Sequence, residues 1–131
     1  MTDARRPTIL VVDDNHDNAE IIRQYLEAHG YPIFVAYDGD EALAQFETVR
    51  PSLVLLDVMM PGRDGWEVCR IMKQHPVLGS TVRVVMVTAL DGTAEKLRGL
   101  ECGADDFLTR PIDTETFLAR IKGLVRLKQL F

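Results

Sequence analysis

In this chain of 131 residues, apolar runs end repeatedly in side chains that can do chemistry. Thr8-Ile-Leu-Val-Val12 runs into Asp13-Asp14, and Leu53-Val-Leu-Leu56 runs into Asp57. Val82 to Val87 ends at Thr88, and Phe107-Leu-Thr109 ends at Arg110-Pro111. Taken singly, each has a plain structural reading. Acids ahead of a helix cap its orphan N–H groups and favour its dipole. Asp57, shortly before Pro61-Gly62, could begin a turn. Thr88 could be an ordinary strand residue, and Arg110-Pro111 a chain reversal carrying a surface charge. Taken together they put three carboxylates, a hydroxyl and a guanidinium at strand ends. Carboxylates crowded at one buried edge repel, and leaving them uncompensated is costly. A hard divalent cation such as Mg²⁺ removes that cost, accepting one or two carboxylates while keeping waters or phosphate oxygens. A carboxylate aimed at such a cation is a nucleophile beside a charge neutraliser.

The elements that must position these groups alternate regularly. After the first strand, Ala19, Ile22 and Leu26, flanked by Ile21 and Tyr25, keep helical spacing up to Gly30. Ile33 to Tyr37 is a second strand, and Asp40 to Glu47 a short helix with Ala42, Leu43 and Phe46 inward. Leu53 to Leu56 is the third and most apolar strand. Pro61-Gly-Arg-Asp-Gly65 reads as a turn, followed by a helical stripe of Trp66, Cys69 and Met72 that ends at His75-Pro76. Val82 to Val87 is the fourth strand, Thr93 to Cys102 a helix stopped by Gly103, and Phe107 to Thr109 a short fifth strand. Asp113 offers a cap for a last helix running to the terminus. Apolar, non-alternating strands in βα units imply a parallel sheet covered on both faces. Ligands of such sheets bind outside the carboxyl ends of the strands, where these residues lie.

Composition narrows the class. Apolar residues are 47% and charged residues 27%, the balance of one globular domain. No apolar run approaches the ~20 residues that span a bilayer, and the N-terminus has no signal-peptide pattern. The net charge of −5 argues against direct binding to nucleic acid. Cys69 and Cys102 lie far apart, with no Cys-x-x-Cys spacing, so the expected setting is reduced and cytoplasmic. The first βα turn lacks glycines, which excludes a Walker loop or a dinucleotide fingerprint. A Mg²⁺-dependent phosphatase of the haloacid-dehalogenase type would need an acid two positions after its nucleophile, where Met59 stands.

The ordered set Asp13-Asp14, Leu55-Leu-Asp57-Val-Met-Met-Pro-Gly62, Val87-Thr-Ala89, Gly103-Ala-Asp-Asp-Phe107 and Arg110-Pro111 resembles the CheY-like response-regulator receiver domain of bacterial two-component signalling. The resemblance covers roughly Thr8 to Leu127 within a single domain spanning residues 1–131. It implies a flavodoxin-like (βα)₅ three-layer α/β sandwich whose five parallel strands run in the order 2-1-3-4-5. It also implies the roles. Asp57 matches the aspartate that accepts a phosphoryl group from a histidine kinase or phosphotransfer protein. Asp14, Asp57 and the backbone carbonyl of Met59 match the direct Mg²⁺ ligands, and Asp13 matches the acid acting largely through metal-bound water. Thr88 matches the hydroxyl that moves to the phosphoryl group, and Phe107 the aromatic switch residue that follows it. Gly65 falls where the family closes its β3–α3 loop. Arg110 stands where the family has a phosphate-binding lysine, reaching the pocket through a cis bond to Pro111. The lysines of this chain are Lys73, Lys96, Lys122 and Lys128, none at a strand end.

The resemblance thus implies a signalling switch that catalyses at most its own phosphorylation and dephosphorylation. Its output surface is built from the fourth helix, fifth strand and fifth helix, and a homodimer through that surface is a further expectation. The alternative is a pseudo-receiver, an interaction module released from phosphorylation by Arg110. In the last helix Leu118, Ile121 and Val125 are placed to face the sheet, and Leu124, Leu127 and Phe131 form a second stripe. That stripe suits a helix continuing into an output domain in cis, or a seam with a partner. Ala89-Leu-Asp-Gly92 and Arg110-Pro-Ile-Asp113 resemble receivers joined to cyclic-di-GMP synthases.

Overall fold

A computed structural model describes residues 7–58, 60, 62–88, 101–109 and 114–129. Its strands are β1 (Ile9–Val12), β2 (Ile33–Ala36), β3 (Leu53–Asp57), β4 (Arg83–Thr88) and β5 (Asp106–Thr109). The helices between them are α1 (His16–Ala28), α2 (Gly39–Val49) and α3 (Gly65–Lys73), with a C-terminal helix over Thr114–Gln129. Of the helix expected over Thr93 to Cys102, only Glu101 and Cys102 are among the described residues, and both are helical. All strand pairs are parallel, in the order β2-β1-β3-β4-β5. The doubly wound architecture expected from the sequence is therefore the one observed.

Alternate residues of each strand serve opposite layers, as a period of two requires. Leu10, Val12, Val54, Leu56, Val84 and Met86 pack under α2 and α3, against Ala42, Phe46, Trp66, Cys69 and Met72. Ile9, Val11, Leu53, Leu55, Val85 and Leu108 pack on the other face, against Ala19 and Leu26 of α1 and Phe117 and Ile121 of the C-terminal helix. β3 is buried along its whole length and is paired on both sides. A strand held this way cannot slip by one residue without sending its side chains to the wrong layer.

Helix starts follow local chemistry. Asn15, Asp38 and Asp64 each cap a helix, accepting the backbone N–H of Asn18, Glu41 and Glu67 respectively. Each such cap contributes about 1 kcal/mol. Glu41 also reaches back to accept the Tyr37 N–H at 2.6 Å, a variant of the reciprocal capping box. α2 and α3 begin at Gly39 and Gly65, one residue before the expected starts, because the capping acids precede these glycines. α2 ends at Arg50, which takes the left-handed conformation at φ 54°. Ile21, counted among the apolar residues of α1, points to solvent, while Ala19 and Leu26 carry that helix's fully buried face. Leu118 and Leu124 pack partly against the core, and the side chains of Val125, Leu127 and Phe131 lie outside the described set. No helix among the described residues is long and apolar enough to cross a membrane.

Candidate functional site

Strand order reverses direction between β1 and β3, so a crevice opens at their carboxyl ends. Asp57 is the last residue of β3 and is 5% exposed. The ladder fixes it there, with Leu56 opposite Val12 of β1 and Asp57 itself opposite Val87 of β4. Asp13 directly follows β1, and its N–H donates to the Ala36 carbonyl at 3.1 Å, one step beyond the strand. Its side chain is 1% exposed and accepts the Asn15 N–H at 2.9 Å. The capping for which the acids were candidates falls to Asn15, whose side chain accepts the Asn18 N–H at 3.0 Å. Asp13 braces the turn, and neighbouring Asp14 is exposed at the mouth of the crevice.

The carboxylate oxygens of Asp13, Asp14 and Asp57 lie within 4.8 Å of one another. This donor set is all oxygen, part buried and part open to solvent. It suits a hard divalent cation that keeps some of its water, and it lacks the nitrogen and sulfur ligands a zinc site would offer.

The loop after Asp57 is held unusually close. The Val58 N–H donates to the Val87 carbonyl and the Gly65 N–H to the Val58 carbonyl, both at 3.1 Å. A Cβ on Gly65 would lie 2.4 Å from the Asp57 carbonyl oxygen and 2.8 Å from the Val58 Cα. Any side chain at 65 would therefore displace the backbone of Asp57 and Val58.

Thr88 ends β4, is buried, and is paired with Thr109. Met86, two residues earlier, is paired with Phe107. Thr88 and Phe107 therefore belong to the same face of neighbouring strands. Phe107 is half-buried in the α2/α3 layer, and its ring centroid lies 6.3 Å from that of Trp66 on α3. Met59, Arg110 and Pro111 lie outside the described residues, as does the peptide bond between Arg110 and Pro111.

Two pairings of residues distant in the chain carry no signal in the linear sequence. Lys73 donates to the Val82 carbonyl at 2.8 Å and to Asp105 at 3.0 Å, and the same Asp105 oxygen accepts the Val84 N–H at 2.7 Å. This brace ties α3 to the start of β4 and the approach to β5, at the end of the sheet away from the acids. Cys69 and Cys102, distant in sequence, are buried together between α3 and that approach. Only the spacing of Cys69 on the inner stripe of α3 hinted at its burial.

The geometry has close counterparts. The chain is 47% identical over 120 residues to the response regulator PleD of Caulobacter vibrioides, a match covering 92% of this chain and 26% of that protein. The chain thus spans about a quarter of that relative's length. The receiver domain of a signal transduction histidine kinase from Syntrophus aciditrophicus superposes with a TM-score of 0.84 at 37% identity, covering 92% of this chain and 90% of that one. The BeF3-activated N-terminal receiver domain of Klebsiella pneumoniae RstA superposes with a TM-score of 0.82 at 32% identity, covering 91% and 98%. Residues 9–122 match the response regulator receiver domain family, and with the acids gathered where the strand order reverses, the chain belongs to that family.

Proposed function

We propose that this receiver domain is switched by transfer of a phosphoryl group to Asp57. The observation that carries the reading is the buried Asp57 carboxylate, held within 4.8 Å of the Asp13 and Asp14 carboxylates at the crevice of the sheet. Asp13, Asp14, Asp57 and the Met59 carbonyl would hold Mg²⁺, which neutralises charge on the phosphoryl oxygens when bound. An Asp57 oxygen attacks phosphorus as the bond to a partner's phosphohistidine nitrogen breaks. The strand ladder keeps that oxygen in place, so catalysis is positioning plus electrostatics. The new group carries about −1.5 to −2 charge and additional acceptor oxygens. The Thr88 hydroxyl and the Arg110 guanidinium answer it. Movement of Thr88 opens space on the face it shares with Phe107, and the Phe107 ring follows, leaving no hydroxyl buried without a partner.

The donor in this reading is a sensor histidine kinase or phosphotransfer protein in the cytoplasm. The output surface lies around β5 and the C-terminal helix and acts on a second copy, a partner protein, or an output domain in cis. The resemblance of residues 89–92 and 110–113 to receivers joined to cyclic-di-GMP synthases favours an output of that class. The activated form of the similar Klebsiella receiver supports the phosphoryl reading, since a fluoroberyllate group mimics a phosphoryl group on a carboxylate.

The test is incubation with acetyl phosphate and Mg²⁺, followed by intact mass, for the wild type, Asp57→Asn and Arg110→Lys. Uptake of one phosphoryl group by the wild type and none by Asp57→Asn is expected. Arg110→Lys should take up phosphate too, with a changed lifetime, because lysine is a point charge and arginine a planar fork. No uptake by the wild type alongside ready uptake by Arg110→Lys would establish the pseudo-receiver instead.

A further inference from the structure

We propose that Cys69 and Cys102 are a reversible redox pair, in which a hydroperoxide oxidises Cys102 and Cys69 then closes a disulfide. The two residues are 33 positions apart, yet the Cys69 thiol donates to the Cys102 carbonyl oxygen across 3.6 Å. Each of the two side chains is also the largest influence on the other's acidity. The Cys69 sulfur thus sits against the residue that carries its prospective partner, and closing the bond requires the two sulfurs to approach to about 2.05 Å.

The surroundings give the two thiols different parts. Cys69 is fully buried on the inner face of α3. Its hydrogen bond to Cys102 and its burial hold it firmly protonated. The Cys102 thiol is held below its ordinary value, first by the Cys69 side chain and then by the backbone N–H groups of Ala104 and of Cys102 itself, with the Arg70 guanidinium adding to this against the effect of burial. Gly103, at φ 91°, turns the chain directly after Cys102. A thiolate is the nucleophilic form, so Cys102 is the reactive partner. It also has an approach from solvent. It lines a cavity of about 390 Å³ together with Asp64, Trp66, Glu67, Arg70 and Glu101.

The chemistry balances with a hydroperoxide as oxidant. The Cys102 thiolate attacks one peroxide oxygen, the O–O bond breaks, and a sulfenic acid and hydroxide form. The Cys69 sulfur then attacks the sulfenic sulfur; the S–S bond forms, and hydroxide leaves and takes the Cys69 proton as water. The two sulfurs lose two electrons in all, and the peroxide is reduced to water. A thiol reductant reverses the change. The disulfide would join α3 to the segment that leads into β5. Trp66, one turn before Cys69, is the α3 residue in ring contact with Phe107. Oxidation would thus fix the position of α3 relative to that aromatic side chain.

The experiment treats the full chain with stoichiometric hydrogen peroxide, then alkylates it and maps its peptides by mass. The expected product is a monomer lighter by two hydrogens, in which neither thiol alkylates and the Cys69 and Cys102 peptides are linked until dithiothreitol separates them. Its Trp66 fluorescence should shift on oxidation and return on reduction. Cys69→Ser should stop at a sulfenic acid on Cys102 that dimedone traps, whereas Cys102→Ser should leave Cys69 unreacted. The wild-type peptide map decides the matter even if a serine variant fails to fold. Over-oxidation of Cys102 with Cys69 still alkylatable, linkage only between separate chains, or oxidation no faster than in the urea-unfolded chain would each overturn the proposal.

Discussion

Replacing Asp57 by Asn should stabilise the protein when no divalent cation is present and remove most of its stabilisation by Mg²⁺. The carboxylate oxygens of Asp57 and Asp13 lie within 4.8 Å, and both side chains are nearly inaccessible to solvent. Two full charges at that separation repel by about 3 kcal/mol at an effective dielectric near 20. The pair with exposed Asp14 is screened as in water and adds under about 1 kcal/mol. Asparagine keeps the shape and one acceptor oxygen but sheds the charge, and the weaker acceptor returns about 1 kcal/mol of the gain. The net gain is roughly 1–3 kcal/mol, and a kilocalorie moves the melting point of a domain this size by roughly 3–5 °C. In chelator, Asp57→Asn should therefore melt about 5–10 °C above the wild type. Mg²⁺ at a hundredfold excess over its Kd should add about 2.7 kcal/mol to the wild type. The variant, lacking a ligand and a charge, should gain only a small part of that. Calorimetry of both proteins in chelator and in saturating Mg²⁺ measures all four values. If Asp57→Asn melts below the wild type in chelator, and both gain equally from Mg²⁺, the three carboxylates neither repel nor share a cation, and the reasoning fails.

Other substitutions probe the supports of the site. Gly65→Ala should cost more than about 2 kcal/mol, because a Cβ there meets the Asp57 carbonyl oxygen at 2.4 Å; urea unfolding measures the loss, and slower phosphoryl uptake should accompany it. Lys73→Met should cost roughly 1–3 kcal/mol by leaving Asp105 and the Val82 carbonyl without their ammonium donor, again read from urea midpoints, with phosphoryl uptake at the far end of the sheet retained. Cys102 should alkylate with a rate that falls on acidification as its thiolate is protonated, at a lower pH than for an ordinary thiol, since its value is held below the ordinary 9.0.

What the sequence made legible was what depends on periodicity and on local chemistry. Strands such as Leu53 to Asp57 are short apolar runs with a single reading once helices flank them, and a parallel sheet then follows from the need to cover both faces. The acids were legible because they follow such runs directly, and a strand end in a parallel sheet has one destination. The inward stripe Trp66, Cys69 and Met72 was legible from its spacing, and all three are buried. Ile21 was not, because an apolar side chain beside a helical stripe fits either the core or solvent, and only the packing of α1 on β1 decides. The capping role was ambiguous for a similar reason. Asp13, Asp14 and Asn15 all have the right chemistry, and the choice turns on which backbone dihedrals the chain adopts on leaving β1. Asn15 has the extended geometry that a cap requires, and this releases both acids for the crevice. The contacts that escaped altogether, Lys73 with Asp105 and Cys69 with Cys102, join α3 to the approach to β5 across 32 and 33 positions. No local pattern encodes such a pairing, because it exists only after β4 has been laid beside β3 and the chain has returned to the same layer. The acids sit where topology alone would put them, whereas the contacts of α3 with the approach to β5 are ones the linear sequence conceals.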